Sequence, residues 1–441
     1  MSHIPPPSES SEPFESSEPS ESSEPSKSSV PVTAFATLWL TLFLDLVGFG
    51  IIIPVLPFYA TDFGASPQAV TLLSTTFSLA QFVASPVLGR VSDRVGRRPV
   101  MLISIAGSCG SLLVLGFAAT LWMVFAARLL AGLCGANIST AHAYVADRVE
   151  PARRAKYMGL MGAAIGLGFV FGPALGGLLS TPERPELPFL FAAGLAGLNF
   201  VMAVTWLPES HRPGSGAGPT SDPTSSFEAR PAVRARSRRR EIIDALWGTP
   251  LGWLVVVNLA FYLAFSAMES TFPLLLEAVL GWGAQQTGGL FAFVGIVIVL
   301  TQGVLVGRLV ARLGERSTLM LGLALVVAAF VLMGVQRSPV LAFVASAGIA
   351  GGNGLVLPSI NALVSRKSAA DRQGFSLGLS SSAAALGRIV GPVGAGVLFE
   401  QIGPGVPMLA GAGIVAVAWV LVLVRLRPAR PARPARSAEG S

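Results

Sequence analysis

Four ionisable residues lie deep within apolar stretches of this chain, where charges are rare, costly and usually functional. They occupy the first, fourth, seventh and eleventh apolar runs and are Asp45, Arg128, Glu269 and Arg388. Two acids and two bases in such surroundings allow two interpretations. They could neutralise one another as static buried ion pairs. Alternatively, Asp45 or Glu269 takes up a proton, breaks a pair and frees a helix to move, which makes all four candidates for proton coupling.

The elements that must position these charges are apolar helices. The chain has 441 residues, of which 52% are hydrophobic and 12% charged, about half the charged share of a soluble domain. Twelve apolar runs are each long enough to cross a bilayer as a helix. They are residues 33–60, 68–91, 99–119, 121–146, 157–180, 187–207, 251–276, 286–311, 317–336, 338–364, 374–400 and 405–425. This pattern predicts an all-α membrane protein of twelve transmembrane helices, with no separate soluble domain.

The two halves of the chain repeat one another. Gly89–Met101 returns as Gly307–Met320 about 218 residues later, and Gly172-Pro173 returns as Gly391-Pro392 about 219 later. A nearly constant offset indicates a duplicated half-molecule. Duplicated six-helix halves joined by a polar loop are typical of secondary transporters, whose substrate site lies near the bilayer midplane. We therefore expect two pseudo-symmetric six-helix bundles.

Composition changes along the chain predict five segments. Residues 1–31 repeat Ser-Ser-Glu-Pro without apolar anchors, which is typical of a disordered acidic tail. Residues 32–210 and 246–427 hold the two bundles. The linker between them, 211–245, is rich in Gly, Pro and Ser and then in Arg, and residues 428–441 form a basic Pro-Ala-Arg tail.

Loop charge predicts the orientation in the membrane. The loops after the second, fourth, eighth and tenth runs are rich in arginine, whereas the opposite loops carry only Arg184 and Arg337. By the positive-inside rule the basic loops, both termini and the linker face the cytoplasm. The net charge of +7 therefore reflects topology and anionic lipid headgroups, and we expect no nucleic acid partner.

Residue patterns for catalysis, ATP use or metal binding are missing from this sequence. It has no phosphate-cradling GxxxxGK[ST] motif, and its three histidines offer no arrangement of a nucleophile with a base. Cys109 and Cys134 lie inside apolar runs without metal-ligand spacing and are expected to pack as small apolar side chains. We expect a monomeric, non-enzymatic protein without metal or cofactor, driven by a proton gradient.

The repeated loop motif is a candidate gate. Its functional residues are Gly89, Asp93, Arg94, Gly96, Arg97 and Arg98. The glycines allow a close turn between helices, and Asp93 can pair with Arg94 or Arg97, while its charge suits the N-terminus of a neighbouring helix. The alternative is a solvated basic loop that only determines topology. In the second copy Ala311 stands in place of Asp93, so any clasp of this kind is one-sided.

The fifth run carries a face of small residues. It comprises Gly162, Gly166, Gly168, Gly172, Pro173, Gly176 and Gly177. Such a face allows tight helix pairing, and the proline removes a backbone donor and is expected to bend the helix. Generic helix packing is the alternative.

A few polar residues inside the runs are candidates for the wall of a substrate cavity. They are Gln81, Asn137, Gln302 and Asn353. The alternative for each of them is an ordinary hydrogen bond between neighbouring helices.

These motifs resemble signatures of the major facilitator superfamily, over roughly residues 33–427. Gly89–Met101 resembles its loop 2–3 signature, Arg128–Gly132 its helix-four signature and Gly162–Gly177 the helix-five signature of its antiporters. Further stretches are similar to twelve-helix drug:proton antiporters, especially tetracycline-resistance exporters: Asp45–Pro57, Ala143–Asp147 and Leu207–His211. The resemblance implies the major facilitator fold in a bacterial cytoplasmic membrane. It also implies proton-coupled efflux of small amphiphilic organic compounds by alternating access.

The resemblance also implies roles for two of the motifs. The loop motif would lock the halves together with the cytoplasmic side closed. The bend in the fifth helix would shape the antiporter cavity and its outward seal. Because Arg388 lies within the echo of this motif in the eleventh run, the second half departs from the first at this point.

The chain departs from the tetracycline exporters at ionisable positions. Asp45 and Gln81 match their helix-one acid and helix-two glutamine, whereas Ser111, Val326 and Ile298 stand where those exporters have two acids and a histidine. These losses argue against tetracycline–metal complexes as the substrate. A facilitator or symporter that imports a metabolite is the alternative function, and a substrate sensor without transport is a third.

Overall fold

The computed structural model describes residues 32–135, 137–209, 249–368 and 373–426. The predicted tails, 1–31 and 428–441, and the predicted linker, 211–245, lie outside these ranges. The helices in chain order are α1 (Val32–Asp62), α2 (Pro67–Val95), α3 (Arg97–Gly116), α4 (Leu121–Leu133), α5 (Asn137–Arg148), α6 (Pro151–Leu179), α7 (Leu187–Trp206), α8 (Pro250–Leu280), α9 (Ala284–Leu300), α10 (Val306–Val335), α11 (Pro339–Lys367), α12 (Gln373–Gln401) and α13 (Val406–Arg425). A π-helix, Thr301–Leu305, joins α9 to α10.

Several helices begin with the same local chemistry, a hydroxyl cap followed by proline. The side chains of Ser66, Thr249 and Ser338 each accept a hydrogen bond from a backbone N–H in the first turn of α2, α8 and α11. The next residue in each case is a proline, whose missing N–H costs nothing at the first helical position.

All predicted spans fall on helices, with two differences in continuity. The fourth span is divided into α4 and α5, whereas the eighth and ninth form one helical segment of 52 residues, Ala284–Val335. This segment is broken at Gly314, whose φ of 77° and ψ of 162° are not helical. With α4 and α5 counted together as Leu121–Arg148, the described ranges contain 11 apolar helical segments, the longest of which covers two predicted spans.

The duplicated loop motif produces the same backbone turn in both halves. Gly96, between α2 and α3, has φ 113° and ψ 162°, and its repeat partner Gly314 has φ 77° and ψ 162°. Residues with a side chain rarely adopt a positive φ, so the turn requires glycine in both copies. The structure thus explains why glycine recurs at this offset.

Helix packing repeats with the same symmetry. In the first half α1 packs on α6 and α7, and α3 packs on α7; in the second half α8 packs on α12 and α13, and α10 packs on α13. The halves meet mainly through two further helix pairs, α2 with α12 and α6 with α9. The interior between these pairs is where a site shared by both halves can form.

Three of the predicted small residues pack α6 tightly against α1. Gly168, Gly172 and Gly176 are four residues apart and lie on one face of α6. A Cβ atom added at Gly172 would lie 2.7 Å from Cα of Gly50, and one added at Gly176 would lie 2.6 Å from the carbonyl oxygen of Ile51. Backbone contact this close is the packing that small-residue faces allow.

Candidate substrate cavity between the halves

A cavity of about 610 Å³ lies between the two halves and is lined by residues of both. This volume is in the range of small-molecule sites, and most of the wall is apolar and aromatic. All eight residues predicted for proton coupling or for the cavity wall line it: Asp45, Gln81, Arg128, Asn137, Glu269, Gln302, Asn353 and Arg388. The structure therefore places these residues at one site, while their roles in coupling and binding stay predictions.

Among the described residues, one side chain forms a hydrogen bond with Asp45. The Nδ2 amide of Asn137, at the start of α5, donates a hydrogen bond of 2.8 Å to Oδ1 of Asp45 on α1. Asn137 is buried, and its own Oδ1 has no partner in the described residues. Buried polar atoms are normally satisfied, so this oxygen is able to accept a further hydrogen bond.

Both deep arginines rest on aromatic rings. The guanidinium carbon of Arg128 on α4 lies 4.4 Å from the ring centroid of Phe77, and that of Arg388 on α12 lies 5.4 Å from the ring centroid of Tyr262. Such contacts stabilise a desolvated cation without neutralising it. Arg128 is only 5% exposed, and its Nε and Nη1 atoms have no hydrogen-bond partner in the described part of the chain.

Glu269 on α8 lines the same cavity as Arg128 and Arg388. No ion pair within 4 Å joins Glu269 to either arginine. The ion pairs among the described residues lie elsewhere. Those pairs are Arg97–Asp93, Arg97–Asp147 and Arg366–Glu315. Direct static pairs among the four deep charges are therefore not what holds this conformation together.

The polar candidates differ in how far they are engaged. The side chain of Gln81 donates a hydrogen bond of 3.0 Å to the carbonyl of Gly135, so it links α2 to the junction between α4 and α5, close to what the alternative interpretation expects. Gln302 lies in the π-helix, a local widening that is often found at functional sites. Asn353 is 8% exposed and its Oδ1 has no partner in the described ranges.

The sequence-based reasoning missed the aromatic part of the site. Phe77 and Tyr262 line the cavity and support the arginines. Aromatic residues are common in apolar runs, so composition could not single these two out. For Tyr262 the useful signal would have been its position about two turns before Glu269 on the same helix.

In the described ranges, the closest backbone contacts between the two halves lie towards one end of the molecule. We call the end with the arginine-rich loops the basic end and the other the closed end. At the closed end, a Cβ added at Gly177 on α6 would lie 2.8 Å from Cα of Gly288 on α9. Towards the basic end, a Cβ added at Gly162 on α6 or at Gly378 on α12 would meet nothing within 4 Å. The helices of the two halves therefore diverge towards the basic end.

The loop motif makes its contacts within its own half. Arg97 Nη1 lies 2.6 Å from Asp93 Oδ1, and Arg97 Nε lies 2.9 Å from Asp147 Oδ2. Of the two partners expected for Asp93, the structure thus selects Arg97. The backbone N–H groups of Arg97 and Arg98, which open α3, donate to the carboxylate of Glu209 at 2.9 and 3.2 Å.

Three separate stretches of the sequence meet at this motif. Asp147 and Glu209 come from two of the stretches that resemble drug:proton antiporters, and Arg148 also donates to the Glu209 carbonyl. Asp93 has a side chain that is 64% exposed, and among the described residues its ion pair is with Arg97 of its own half. Because the halves are apart here, the expected lock of the basic end stays a prediction.

Comparisons with known proteins agree with this architecture. The sequence profile of the Major Facilitator Superfamily matches residues 38–312 and 299–441. The tetracycline resistance protein, class G, of Vibrio anguillarum is 32% identical over 365 residues, 81% of this chain and 88% of the relative. Multidrug resistance protein 1 of Bacillus subtilis is 29% identical over 360 residues, covering 81% of this chain and 88% of that protein.

A solved structure shares the fold. The crystal structure of the human organic anion transporter MFSD10 (TETRAN) matches with a TM-score of 0.66 and 25% identity, over 89% of this chain and 100% of that chain. Together with the helical halves and the cavity between them, the sequence matches establish what kind of protein this is. The chain belongs to the major facilitator superfamily and is a multi-pass membrane transporter of small molecules rather than an enzyme.

Proposed function

We propose that this transporter exports small amphiphilic organic compounds in exchange for protons, by alternating access to the cavity between its halves. The observation that carries the proposal is the cavity wall, which is largely aromatic and apolar but contains two acids and two bases without a direct ion pair among the described residues. An amphiphilic molecule matches the apolar wall, and the charges supply the coupling.

Asp45 is the proposed exchange site for substrate and proton. Its carboxylate faces the cavity beside Asn137, and no arginine of the described ranges lies within 4 Å of it. With all four deep groups ionised the cavity is neutral, and a proton on Asp45 leaves a net positive charge. A proton and a polar or cationic group of the substrate compete for the same oxygen atoms, and antiport requires this competition.

The conformation of the two halves supports an exporter that loads from the basic end. If the basic loops face the cytoplasm, as the positive-inside rule expects, this conformation presents its cavity to the cytoplasm and keeps the closed end sealed. Proton binding would then follow from the opposite side after the closed end opens. Both termini lie in the cytoplasm in this arrangement, and the protein works as a monomer in the cytoplasmic membrane without a cofactor.

The substrate is proposed to differ from tetracycline–metal complexes. The relatives are named for resistance to tetracycline or to several drugs. In this chain Ser111 and Ile298 line the cavity without charge, and Val326 is fully buried away from it. A metal complex would lose the ionisable partners expected from those exporters, so drugs or metabolites with an apolar body are better candidates.

Inside-out vesicles energised with a proton gradient test the proposal. A susceptibility and metabolite screen of an overexpressing strain first supplies the test compound. Adding that compound should then release protons from wild-type vesicles and from Asp62→Asn, whose exposed acid lies at the end of α1, but not from Asp45→Asn. Substrate flux without any proton movement would instead identify a facilitator.

A further inference from the structure

One helix pair, α2 with α12, carries an acid at each of its ends. The two helices belong to different halves and run antiparallel, because Thr75 contacts Ile389, Thr71 contacts Gly396 and Gln68 contacts Glu400. The C-terminal end of α12 therefore lies beside the N-terminal end of α2 at the closed end. This arrangement brings Glu400 to the first turn of α2.

Glu400 closes the gap between the halves with a hydrogen bond to the backbone. Its Oε2 atom accepts the N–H of Gln68 at 3.2 Å, while the side chain of Ser66 accepts the N–H of Ala69. The first N–H groups of a helix have no partner within the helix, and its N-terminus attracts negative charge. A carboxylate supplied by the other half thus completes the cap of α2.

Backbone packing beside this bond is equally close. The hydroxyl of Thr75 donates to the carbonyl of Ile389 at 3.2 Å. A Cβ added at Gly396 would lie 2.9 Å from Cα of Gln68, whereas one added at Gly394 would meet nothing within 4 Å. Glycine at position 396 is what lets α12 approach near enough for Glu400 to reach α2.

At the basic end of the same pair the roles are exchanged: the acid lies on α2 and the helix N-terminus belongs to α12. Asp93 is near the C-terminus of α2, and α12 begins at Gln373 on that side. In this conformation Asp93 turns to Arg97 of its own half, and a Cβ added at Gly374 would have open space around it. The acid of α12 is therefore engaged across the halves while the acid of α2 is not.

We propose that Glu400 is a gate-positioning residue of the closed end, which stabilises the conformation open at the basic end by capping α2. This inference rests on the proposed alternating access. It assigns Glu400 to the conformation open at the basic end and Asp93 to the conformation closed there. The second copy of the loop motif lacks an acid at Ala311. Glu400 provides the second acid of the clasp instead. It lies at the C-terminal end of α12, opposite the N-terminus of α12 that Asp93 would cap.

The test measures access to the cavity from the closed end. In a chain with Cys109→Ala and Cys134→Ala, a reporter Ile52→Cys on the cavity wall is labelled with a membrane-impermeant maleimide from that side. Glu400→Gln should raise the labelling rate about two- to fivefold, the effect of losing one charge at a helix N-terminus, and Glu400→Asp should raise it less. Glu183→Gln, an exposed acid at the same end, should leave the rate unchanged.

Two comparisons make the outcome decisive. The melting temperature in detergent should differ little between Glu400→Gln and Glu183→Gln, because the interaction that is lost is a single exposed hydrogen bond. If Gly396→Ala raises labelling but Glu400→Gln does not, the role of Glu400 is refuted while alternating access stands. If neither variant differs from Gly394→Ala, the closed end is not a gate and the proposed mechanism fails with it.

Discussion

Replacing Gly288 with alanine should open the closed end, because at this residue the backbone of α9 packs against the backbone of α6. A Cβ at this position would lie 2.5 Å from Cα of Gly177 and 2.7 Å from the carbonyl oxygen of Pro173. Both neighbours are backbone atoms, so they cannot move aside as a flexible side chain would. The two helices must separate by about 1 Å to restore ordinary contact between carbon atoms.

The expected size of the shift between the two conformations follows from the cost of overpacking. Extra methyl groups in well-packed interiors cost about 1–3 kcal/mol. Because the two helices belong to different halves, separation of the halves at the closed end relieves this cost. It should therefore shift the balance of states towards opening there by about 5- to 150-fold.

Labelling of Ile52→Cys by an impermeant maleimide from the closed end measures this balance. The control is Gly289→Ala, where a Cβ would meet nothing within 4 Å. Both substitutions raise helix propensity by a similar amount, so the difference between their labelling rates isolates the effect of the contact with α6. Equal labelling rates in Gly288→Ala and Gly289→Ala would falsify the reasoning that this contact seals the cavity.

Three further predictions concern coupling, the loop motif and topology. Glu269→Gln should abolish uphill export in energised vesicles while sparing downhill exchange; if Glu269→Gln/Arg388→Gln regains uphill export, Glu269 is outside the proton path and acts only as a counter-charge. Asp93→Asn should reduce transport strongly but change the free energy of unfolding by at most about 1 kcal/mol, because the Asp93 side chain is 64% exposed and Arg97 keeps its ion pair with Asp147; near-normal transport would reduce the motif to a topology signal. In intact cells Glu183→Cys should react with an impermeant thiol reagent and Ser317→Cys should not, and the reverse pattern would invert the proposed orientation.

Much of the fold follows from local properties of the chain. Apolar runs of sufficient length must be helical in a bilayer because every backbone group needs an internal partner, so the spans could be placed from hydropathy. The repeated turn is also determined locally, because Gly96 and Gly314 each adopt a backbone conformation that only glycine adopts easily. Deep charges such as Asp45 and Arg388 could be recognised as unusual from their depth in these runs alone.

Only the tertiary structure decided how these elements face one another. Lipid-facing and protein-facing sides of these helices are both apolar, so hydropathy carries no information on helix rotation. The support of Arg128 by Phe77, the choice of Arg97 as partner of Asp93, and the absence of direct pairs among the deep charges of the described ranges depend on that rotation.

The closed end is the clearest case of a feature beyond the reach of sequence reasoning. Glu400 and Gln68 are far apart in the chain, and neither stands out in its own run. They meet because α2 and α12 pack antiparallel across the halves, a contact that depends on Gly396 and on the relative position of two bundles. The physical reason is that spans are determined by each helix in its bilayer, whereas a gate is determined by which of several close packings the two halves adopt.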